Sequence, residues 1–310
     1  MYTLVTGASG LLGSHLLASA IADGRPVRAT SRSIRKRSWL EASGCRVEHW
    51  PLDLTGTDTI PDEMLEGVDA VIHCAASVNA AAGFSQEIRD TNVFGTQRLF
   101  EKAIAAGVTR WIQISSAAAG IESGAVRSTA YGLSKAEIDR WLADRQGETQ
   151  LLFVEPGYML GRWDSRPSSG AVFFWLRFKR MSHFVECEKN FVAAEDVARG
   201  IWKALDNDAT GRYQLGGVNA RISAFIEEAC AVMAIDKTVF REVPASAVDG
   251  EGGDPGITPT EAALIREFCF PAPLQSEAAR LDFAYMPRLG LREMIDEAVT
   301  FLKLRSMTRS

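Results

Sequence analysis

The stretch Tyr2–Leu17, YTLVTGASGLLGSHLL, decides the fold. A short apolar run leads into Gly7, two more glycines follow at positions 10 and 13, and leucines then recur at helical spacing. Gly7 allows a tight turn, Gly10 lets the backbone approach a phosphate, and Gly13 lets a helix lie close to the strand. Because a helix N-terminus offers free N–H groups to an anion, we predict that this stretch binds the pyrophosphate of a dinucleotide. Taken alone, this glycine spacing also fits an ordinary strand-to-helix turn.

Composition and charge exclude several classes of protein. With 46% hydrophobic and 24% charged residues, the 310-residue chain has the make-up of a folded globular protein with a large core. The net charge of -5 argues against a nucleic-acid-binding surface. No signal peptide precedes the first strand, and the longest apolar segment, Ala171–Phe178, is broken by Arg177 and too short to cross a bilayer. We expect a soluble, cytoplasmic protein with no nucleic-acid or membrane partner.

The cysteines indicate neither disulfides nor a zinc site. They are odd in number and none forms a Cys-x-x-Cys pair: Cys45, Cys74, Cys187, Cys230 and Cys269. We predict reduced thiols, as in cytoplasmic proteins, and no bound metal.

Strands and helices alternate through the first half of the chain. After the first strand, the pattern predicts five more, over Val27–Thr30, Cys45–Trp50, Ala70–Cys74, Val108–Ile114 and Gln150–Val154. The intervening helices include Leu11–Ala22, Gln86–Ala106 and Ala130–Asp144. This alternation is typical of an α/β protein with a doubly wound parallel sheet, a Rossmann fold, which binds ligands beyond the carboxyl ends of its strands.

The second half is less regular. Helices are predicted over Ala171–Met181, Ile222–Met233, Pro259–Phe268 and Gly290–Leu304, with a strand-then-helix pattern over Phe191–Leu205 and a strand at Tyr213–Leu215. Residues 245–260 are rich in Gly, Pro and Asp and predict a loop. We predict a dinucleotide-binding domain of residues 1–157 and about 190–217. A smaller, interleaved substrate-binding part would comprise about 158–189 and 218–310.

Tyr131 and Lys135 form the candidate catalytic pair. Their spacing places both side chains on one face of the helix predicted over Ala130–Asp144. A nearby cation stabilises a phenolate, so we expect Lys135 to lower the pKa of Tyr131 from about 10. Tyr131 would then act as a general acid toward a carbonyl oxygen, or as a base toward an alcohol. Ser116, at the end of the strand Val108–Ile114, would hydrogen-bond the reacting oxygen.

The chain resembles the extended short-chain dehydrogenases/reductases, which include nucleotide-sugar epimerases and dehydratases, dihydroflavonol-4-reductases and 3β-hydroxysteroid dehydrogenases. The resemblance rests on the opening TGASGLLG, His73-Cys74-Ala75-Ala76, TNVFGT from Thr91, ISS from Ile114, YGLSK from Tyr131 and AEDVA from Ala194. LDFAYMPRLGLRE, from Leu281, resembles the closing segment of the family. The motifs cover nearly the whole chain in the family's order.

The resemblance implies a role for individual residues. Ser116, Tyr131 and Lys135 would be catalytic, with Lys135 also binding the nicotinamide ribose. The cofactor-binding set implied for the glycine turn and the strand ends is Gly7, Ser9, Gly10, Leu11, Leu12, Gly13, Asp53, Leu54, Ala75, Ala76 and Pro156. Asp53 and Leu54 would flank the adenine, and Pro156 would pack near the nicotinamide. Asn92 is usually structural in this family.

Three departures from the family pattern affect the substrate side. Glu155 stands where relatives commonly have Arg before Pro-Gly, and Ala118-Ala119-Gly120 replaces a frequent Val-Tyr-Gly. The interval from Ser116 to Tyr131 is also short for the extended branch. We therefore expect this chain to lack the substrate contacts that those side chains make in relatives.

The end of the second strand favours NADP(H) over NAD(H). Relatives that prefer NAD usually carry an acid there, whereas this chain continues Ser31-Arg32, with Arg35 and Lys36 close behind. Ser31 and Arg32 suit a 2′-phosphate, and no carboxylate at that point repels it. The alternative is a solvated basic turn.

The substrate side favours an apolar carbonyl compound. Nucleotide-sugar enzymes carry a basic anchor for the diphosphate before the AEDVA-like segment, where this chain has only Cys187-Glu188-Lys189-Asn190. The preceding large apolar residues either line a pocket or pack in the core: Phe173, Phe174, Trp175, Phe178, Met181 and Phe184. The leading hypothesis is an NADPH-dependent ketone or aldehyde reductase acting on a small molecule. The alternatives are a nucleotide-sugar epimerase or dehydratase with tightly bound NAD(P), or a non-catalytic NADP-binding sensor.

The family's assembly predicts a homodimer. In the resembling proteins, the long helix after the fourth strand and the Tyr-x-x-x-Lys helix pair with their symmetry mates. Phe100, Ile104, Ile138 and Leu142 are the candidates for apolar contacts in such an interface. Alternatively, they face their own sheet.

Overall fold

The computed structural model describes residues 2–32, 47–56, 60–78, 86–119, 129–145, 147–248 and 256–307, apart from the side chains of 118 and 304–307. The described residues form two compact units. The first lies within Met1–Pro156, Val197–Leu215 and Ser276–Met286, and the second within Gly157–Asp196, Gly216–Gln275 and Pro287–Ser310.

The first unit contains a seven-stranded parallel sheet. Its strands are β1 Tyr2–Thr6, β2 Val27–Ser31, β3 Val47–Pro51, β4 Val68–His73, β5 Arg110–Ile114, β6 Gln150–Pro156 and, from the second half of the chain, β10 Gly211–Leu215. The order is β10-β6-β5-β4-β1-β2-β3, with every neighbouring pair parallel. Strand order reverses between β1 and β4, which confirms the doubly wound fold and marks the edge where ligands bind in such sheets.

Helices connect these strands close to the predicted positions. They are α1 Leu11–Ala22, α2 Gln86–Arg89, α3 Thr96–Ala105, α4 Ala130–Ala143 and α6 Ala194–Asp206, and a further helix, α9 Glu277–Phe283, was not predicted. Between α2 and α3, a π-helical segment, Asp90–Gly95, interrupts the helix predicted over Gln86–Ala106. On one side of the sheet, α3 and α4 cover a core that includes Trp111 and Phe153.

The second unit has its own core. Its elements are β7 Tyr158–Leu160, α5 Ala171–Arg177, β8 His183–Phe184, β9 Glu188–Ala193, β11 Val218–Arg221, α7 Ile222–Met233, β12 Arg241–Glu242, α8 Pro259–Phe268 and α10 Leu291–Met307. The three strands β11-β9-β7 form a small mixed sheet, and β12 pairs with β8. Phe173, Met181 and Phe184 are buried in this core, so the core-packing alternative holds for them. Helix α5 ends at Arg177, four residues before the predicted end.

The prediction that four apolar side chains of two helices form a two-fold interface is wrong. Phe100, Ile138 and Leu142 are fully buried in the first unit, and Ile104 packs against the same cluster. They complete the core beneath their own sheet, because helical periodicity marks an apolar face without naming what covers it. The homodimer itself stays a prediction.

Candidate active site

The glycine turn has the geometry that a pyrophosphate requires. Gly7 adopts φ +63°, and a Cβ there would lie 2.7 Å from the backbone nitrogen of Ala75. A Cβ on Gly13 would collide with the carbonyl oxygen of Gly7, so only glycine lets α1 start this close to β1. The Gly10 N–H donates to the Gly7 carbonyl at 2.9 Å, and Gly10 remains exposed. The cradle therefore fits the phosphates of a dinucleotide.

The neighbouring predicted residues differ in what they offer a ligand. The side chains of Leu11 and Leu12 are buried, so these residues present only their backbone N–H groups in the first turn of α1. Ser9 is half-buried beside them.

At the end of β2, the two residues predicted to bind a 2′-phosphate differ in their exposure to solvent. Ser31 is buried, and its Oγ lies 2.8 Å from Nε2 of His49. Arg32 is exposed, and its charge reaches Asp53. Burial of Asp53 opposes its ionisation, but hydrogen bonds from Thr55 and the Arg32 charge lower the pKa of this carboxyl overall. Arg32 is thus the better-placed anion ligand, while Arg35 and Lys36 lie outside the described residues.

The Asp53–Leu54 segment is held from the π-helical side. Arg98 donates to the carbonyls of Leu54, at 2.9 Å, and Gly56, at 2.6 Å. A Cβ on Gly95 would lie 2.6 Å from the Leu54 carbonyl oxygen, so the helix passes close to this segment. The predicted adenine-flanking residues therefore stand on a fixed backbone.

The end of β4 is fixed by a buried histidine. Nδ1 of His73 lies 2.9 Å from Thr6 Oγ1, and Nε2 lies 2.9 Å from Thr96 Oγ1. Burial, with the nearby Lys135 charge, lowers the pKa of His73 to about 3, so the ring is neutral. Thr6 Oγ1 also accepts from the N–H of Ala75, which stands half-buried with Ala76 directly after the strand. This bridge fixes the two alanines predicted to line the nicotinamide ribose.

Asn92 has the structural role expected of it. Its amide bonds both the N–H and the carbonyl of Ser77, at 2.7 and 3.0 Å, and donates to Ser134 Oγ at 2.9 Å. It therefore ties the chain beyond β4 to α4. The π-helical geometry around it had no signal in the sequence.

Lys135 is anchored to the strand end that carries Ser116. Its side chain is buried, and Nζ donates to the carbonyl of Ile114, the last residue of β5, at 2.7 Å. Nζ also lies 5.8 Å from the ring centroid of Tyr131. Thr129 caps α4 by accepting from the N–H of Gly132 at 3.1 Å, which starts the helix one residue before Tyr131. Ser116 follows β5 and is half-buried.

The pKa of Tyr131 shifts in the direction opposite to the expected one. Burial raises the pKa of Tyr131, and the Asp139 charge raises it further, so the phenol holds its proton at neutral pH. Burial lowers the pKa of Lys135 to about 8, against opposing effects of Asp139 and Cys74. The expected lowering of the Tyr131 pKa is wrong for the protein alone, because desolvation and the Asp139 charge both raise it. A neutral phenol is nonetheless the form that donates a proton.

Behind the pair lies a charged network that the sequence did not reveal. Asp139, one helical turn beyond Lys135, accepts from Ser115 Oγ at 2.6 Å and from Arg212 of β10 at 2.9 Å. The same Arg212 nitrogen donates to Glu155 at 2.5 Å. Glu155 is buried and immediately precedes Pro156, also buried at the end of β6. Glu155, the departure from the family pattern, therefore belongs to this internal network.

Comparison with known proteins identifies the family. A sequence model described as "NAD dependent epimerase/dehydratase family" matches residues 3–216, more than half of the chain. The chain belongs to this family. It is an NAD(P)-dependent oxidoreductase of the epimerase/dehydratase family, and a nicotinamide dinucleotide is its cofactor.

Three known proteins are similar to this chain over most of its length. "Sterol demethylase protein B" of Methylococcus capsulatus is 36% identical over 73% of this chain and 73% of its own length. A provisionally named dihydroflavonol 4-reductase of Synechocystis is 25% identical over 72% of this chain and 69% of its own. The solved structure of gox2253 superposes with a TM-score of 0.79 at 25% identity, covering 98% of both chains.

Lys189, in the stretch where nucleotide-sugar members carry their anchor, is enclosed within the second unit. The residue is 2% exposed, and its Nζ donates to the carbonyl of Phe268 at 2.7 Å. The ammonium lies 3.6 Å from the ring centroid of Phe270 and 4.7 Å from that of Tyr158. Burial lowers the pKa of Lys189 to about 7. The ammonium of Lys189 therefore binds residues of the second unit itself.

Lys189→Met tests this burial through stability. The folded pKa of about 7 lies below the ordinary value of 10.5, so the unfolded chain binds the proton more tightly. The free energy of unfolding of the wild type should therefore rise with pH from about 7 to about 10. Lys189→Met should remove this rise. Relative to the wild type, the free energy of unfolding of the variant, measured with denaturant, should therefore be larger at low pH than at high pH. The control Lys203→Met removes an exposed lysine that also donates to a carbonyl, that of Ala284 at 2.7 Å. Parallel pH curves for wild type and Lys189→Met would contradict the assignment.

Three further features concern thiols, metals and membranes. Cys74, Cys187, Cys230 and Cys269 are free thiols, and Cys45 lies outside the described residues. Within the described ranges, no group of three or more His, Cys, Asp or Glu side chains could hold a metal ion. None of the helices in that part of the chain has the length and apolar content to cross a membrane.

Proposed function

We propose that this chain is an NADPH-dependent reductase of a ketone or aldehyde group on an apolar small molecule. Tyr131 donates the proton to the carbonyl oxygen, Ser116 hydrogen-bonds that oxygen, and Lys135 binds the nicotinamide ribose and supports the phenol electrostatically. The bound cofactor would supply the hydride. Gly7, Gly10, Arg32 and Pro156 are among the residues that would hold it.

The protonation state of Tyr131 supports proton donation during the reduction of a carbonyl. A half-buried phenol whose pKa is raised by desolvation keeps its proton until a carbonyl oxygen begins to accept negative charge. Lys135, anchored on the Ile114 carbonyl, holds a positive charge below about pH 8 on the same helix face. That charge favours the phenolate left after proton transfer. The pair therefore suits proton donation during reduction.

The observation that favours an apolar substrate over a sugar nucleotide is the position of Lys189. A diphosphate anchor must present its cation to the ligand, whereas this ammonium is enclosed and bonded to Phe268. The names of the two relatives, a sterol demethylase protein and a dihydroflavonol reductase, fit an apolar substrate as well. The family description keeps epimerisation or dehydration of a nucleotide sugar as the second candidate.

Arg32→Ala tests the choice of NADP. Arg32 is exposed at the end of β2, where a guanidinium can pair with a 2′-phosphate. The substitution should weaken NADP(H) binding by about 1.5–3 kcal/mol and leave NAD(H) binding nearly unchanged. Titration with both cofactors measures the effect, with Arg280→Ala, an exposed arginine paired with Glu277, as the control. Equal affinities of the unaltered protein for the two cofactors would refute the preference.

A substrate panel separates the candidate functions. The protein is incubated with NADPH and apolar ketones and aldehydes, including steroid ketones, and in parallel with UDP-glucose. A reductase consumes NADPH in step with the carbonyl. An epimerase converts the sugar nucleotide with no net change in cofactor, and a sensor binds NADPH without turnover of either class. Either of the last two results would overturn the proposal.

A further inference from the structure

The surface of α5 combines exposed aromatic rings with a concentration of positive charge. In the described part of the second unit, Phe174 and Phe178 are the most exposed large hydrophobic side chains, at 38% and 62%. Their rings stack on each other, with centroids 6.4 Å apart and planes 16° apart. Arg177, Lys179 and Arg180 are exposed around them. These five residues are called the α5 patch below.

The charge of this region is opposite to that of the whole chain. From residue 165 to residue 185 the sequence contains four arginines and lysines and no aspartate or glutamate, although the chain carries a net charge of -5. From a neighbouring element, the carboxylate of Asp236 interacts with Lys179. Lys237 beside it is paired with Glu227. The patch therefore keeps a positive balance.

The helix is held firmly by its opposite face. Val172, Phe173 and Leu176 are buried in the core of the second unit. Lys179, at φ +50°, turns the chain after the helix, and the N–H of Arg180 returns to the Trp175 carbonyl at 2.8 Å. Cations at a helix C-terminus also complement its dipole, which accounts for their position. The dipole does not account for the two exposed, stacked phenylalanines beside them.

We propose that the α5 patch docks the protein reversibly on the surface of a bilayer that contains anionic lipids. Aromatic rings suit the boundary between headgroups and acyl chains, and flanking arginines and lysines attract acidic headgroups while their stems lie along apolar surface. Such docking needs no membrane-spanning helix. It revises our expectation of no membrane partner, and it stands independently of the proposed reductase function.

Vesicle binding tests the proposal with the full chain. Cosedimentation is measured with vesicles of phosphatidylcholine alone and of phosphatidylcholine and phosphatidylglycerol in equal parts. The wild type should bind the anionic vesicles, and raised salt should release it. F174S/F178S and R177Q/K179Q/R180Q should each lower the binding constant on the order of tenfold or more. The control L281S/M286S replaces side chains that are 71% and 68% exposed in the first unit and should bind like the wild type.

A second measurement follows the patch itself. Trp175 is half-buried beside it, so the total fluorescence of the seven tryptophans should shift to the blue on anionic vesicles in the wild type and not in F174S/F178S. Unchanged thermal unfolding of each variant shows that it folds. Absence of wild-type binding, or equal binding by F174S/F178S, would overturn the proposal. Self-association in the absence of vesicles that F174S/F178S abolishes would also overturn it, since the patch would then be an interface between copies.

Discussion

Replacing Tyr131 with phenylalanine is expected to lower turnover by about 10²–10⁴-fold while leaving cofactor affinity almost unchanged. The variant keeps the ring and its packing but removes the only atom assigned to proton delivery. Turnover is measured with the carbonyl compound found by the panel, and affinity by NADPH titration. The control is Tyr213→Phe, which removes a phenol of the first unit that donates to Asp282 at 2.6 Å and has no proposed catalytic role.

The two partners of Tyr131 should respond differently. Lys135→Ala removes both the charge near the phenol and the proposed ribose ligand, so turnover and cofactor affinity should fall together. Ser116→Ala should impair turnover less than Tyr131→Phe, because water can partly replace a group that orients an oxygen. If Tyr131→Phe reduces the carbonyl at nearly the wild-type rate, the chemistry lies elsewhere in the chain.

The parts of the fold that follow local rules could be predicted from the sequence. The glycine turn lies within one strand–helix unit, apart from the close approach of Gly7 to Ala75. The spacing of Gly7, Gly10 and Gly13 therefore indicated it, and the later motifs decided against an ordinary strand-to-helix turn. The helix ends at Met233 and Phe268 agree with prediction for the same reason, since apolar periodicity stops there. The short helix α9, Glu277–Phe283, has too few turns to produce a clear period and was missed.

The parts of the site that depend on distant residues could not be predicted. Ser31 looked like a phosphate ligand, but its hydroxyl turns inward to His49, eighteen residues away on the adjacent strand. Lys189 was visible as a cation, yet its enclosure depends on Phe268 and Phe270 from a distant segment. The titration of Tyr131 likewise depends on how deeply the helix is packed, which spacing alone does not give.

Glu155 shows the same limit in the network behind the active site. Its partner Arg212 lies 57 positions away, on a strand that joins the sheet from the second half of the chain. Sequence alone identified Glu155 only as a departure from the family. The structure shows that Arg212 joins it to Asp139, and that Ser115 and Glu155 directly precede Ser116 and Pro156. This network therefore links the ends of β5 and β6 to α4.

Arg212→Met should lower the free energy of unfolding by about 3 kcal/mol. This is the lower end of the range for removing one partner of a buried ion pair, because the arginine itself is partly exposed. Asp139 and Glu155 have side chains only 5% and 8% exposed, so the loss of Arg212 leaves two carboxylates near each other without their shared cation. Arg110→Met is the control, since its partner Asp208 is 65% exposed and water can replace the arginine.

The second substitution Glu155→Met separates the charge effect from lost packing. The double variant Arg212→Met/Glu155→Met has lost one of the two uncompensated charges, so it should regain much of the stability that Arg212→Met loses. In the wild-type background, Glu155→Met should bring no gain in stability. Denaturant unfolding of the four proteins yields the coupling energy directly. If Arg212→Met is no more destabilising than Arg110→Met, or if Glu155→Met brings no recovery, the network does not hold these strand ends. The recovery is expected because an unpaired buried carboxylate costs more than the apolar side chain that replaces it.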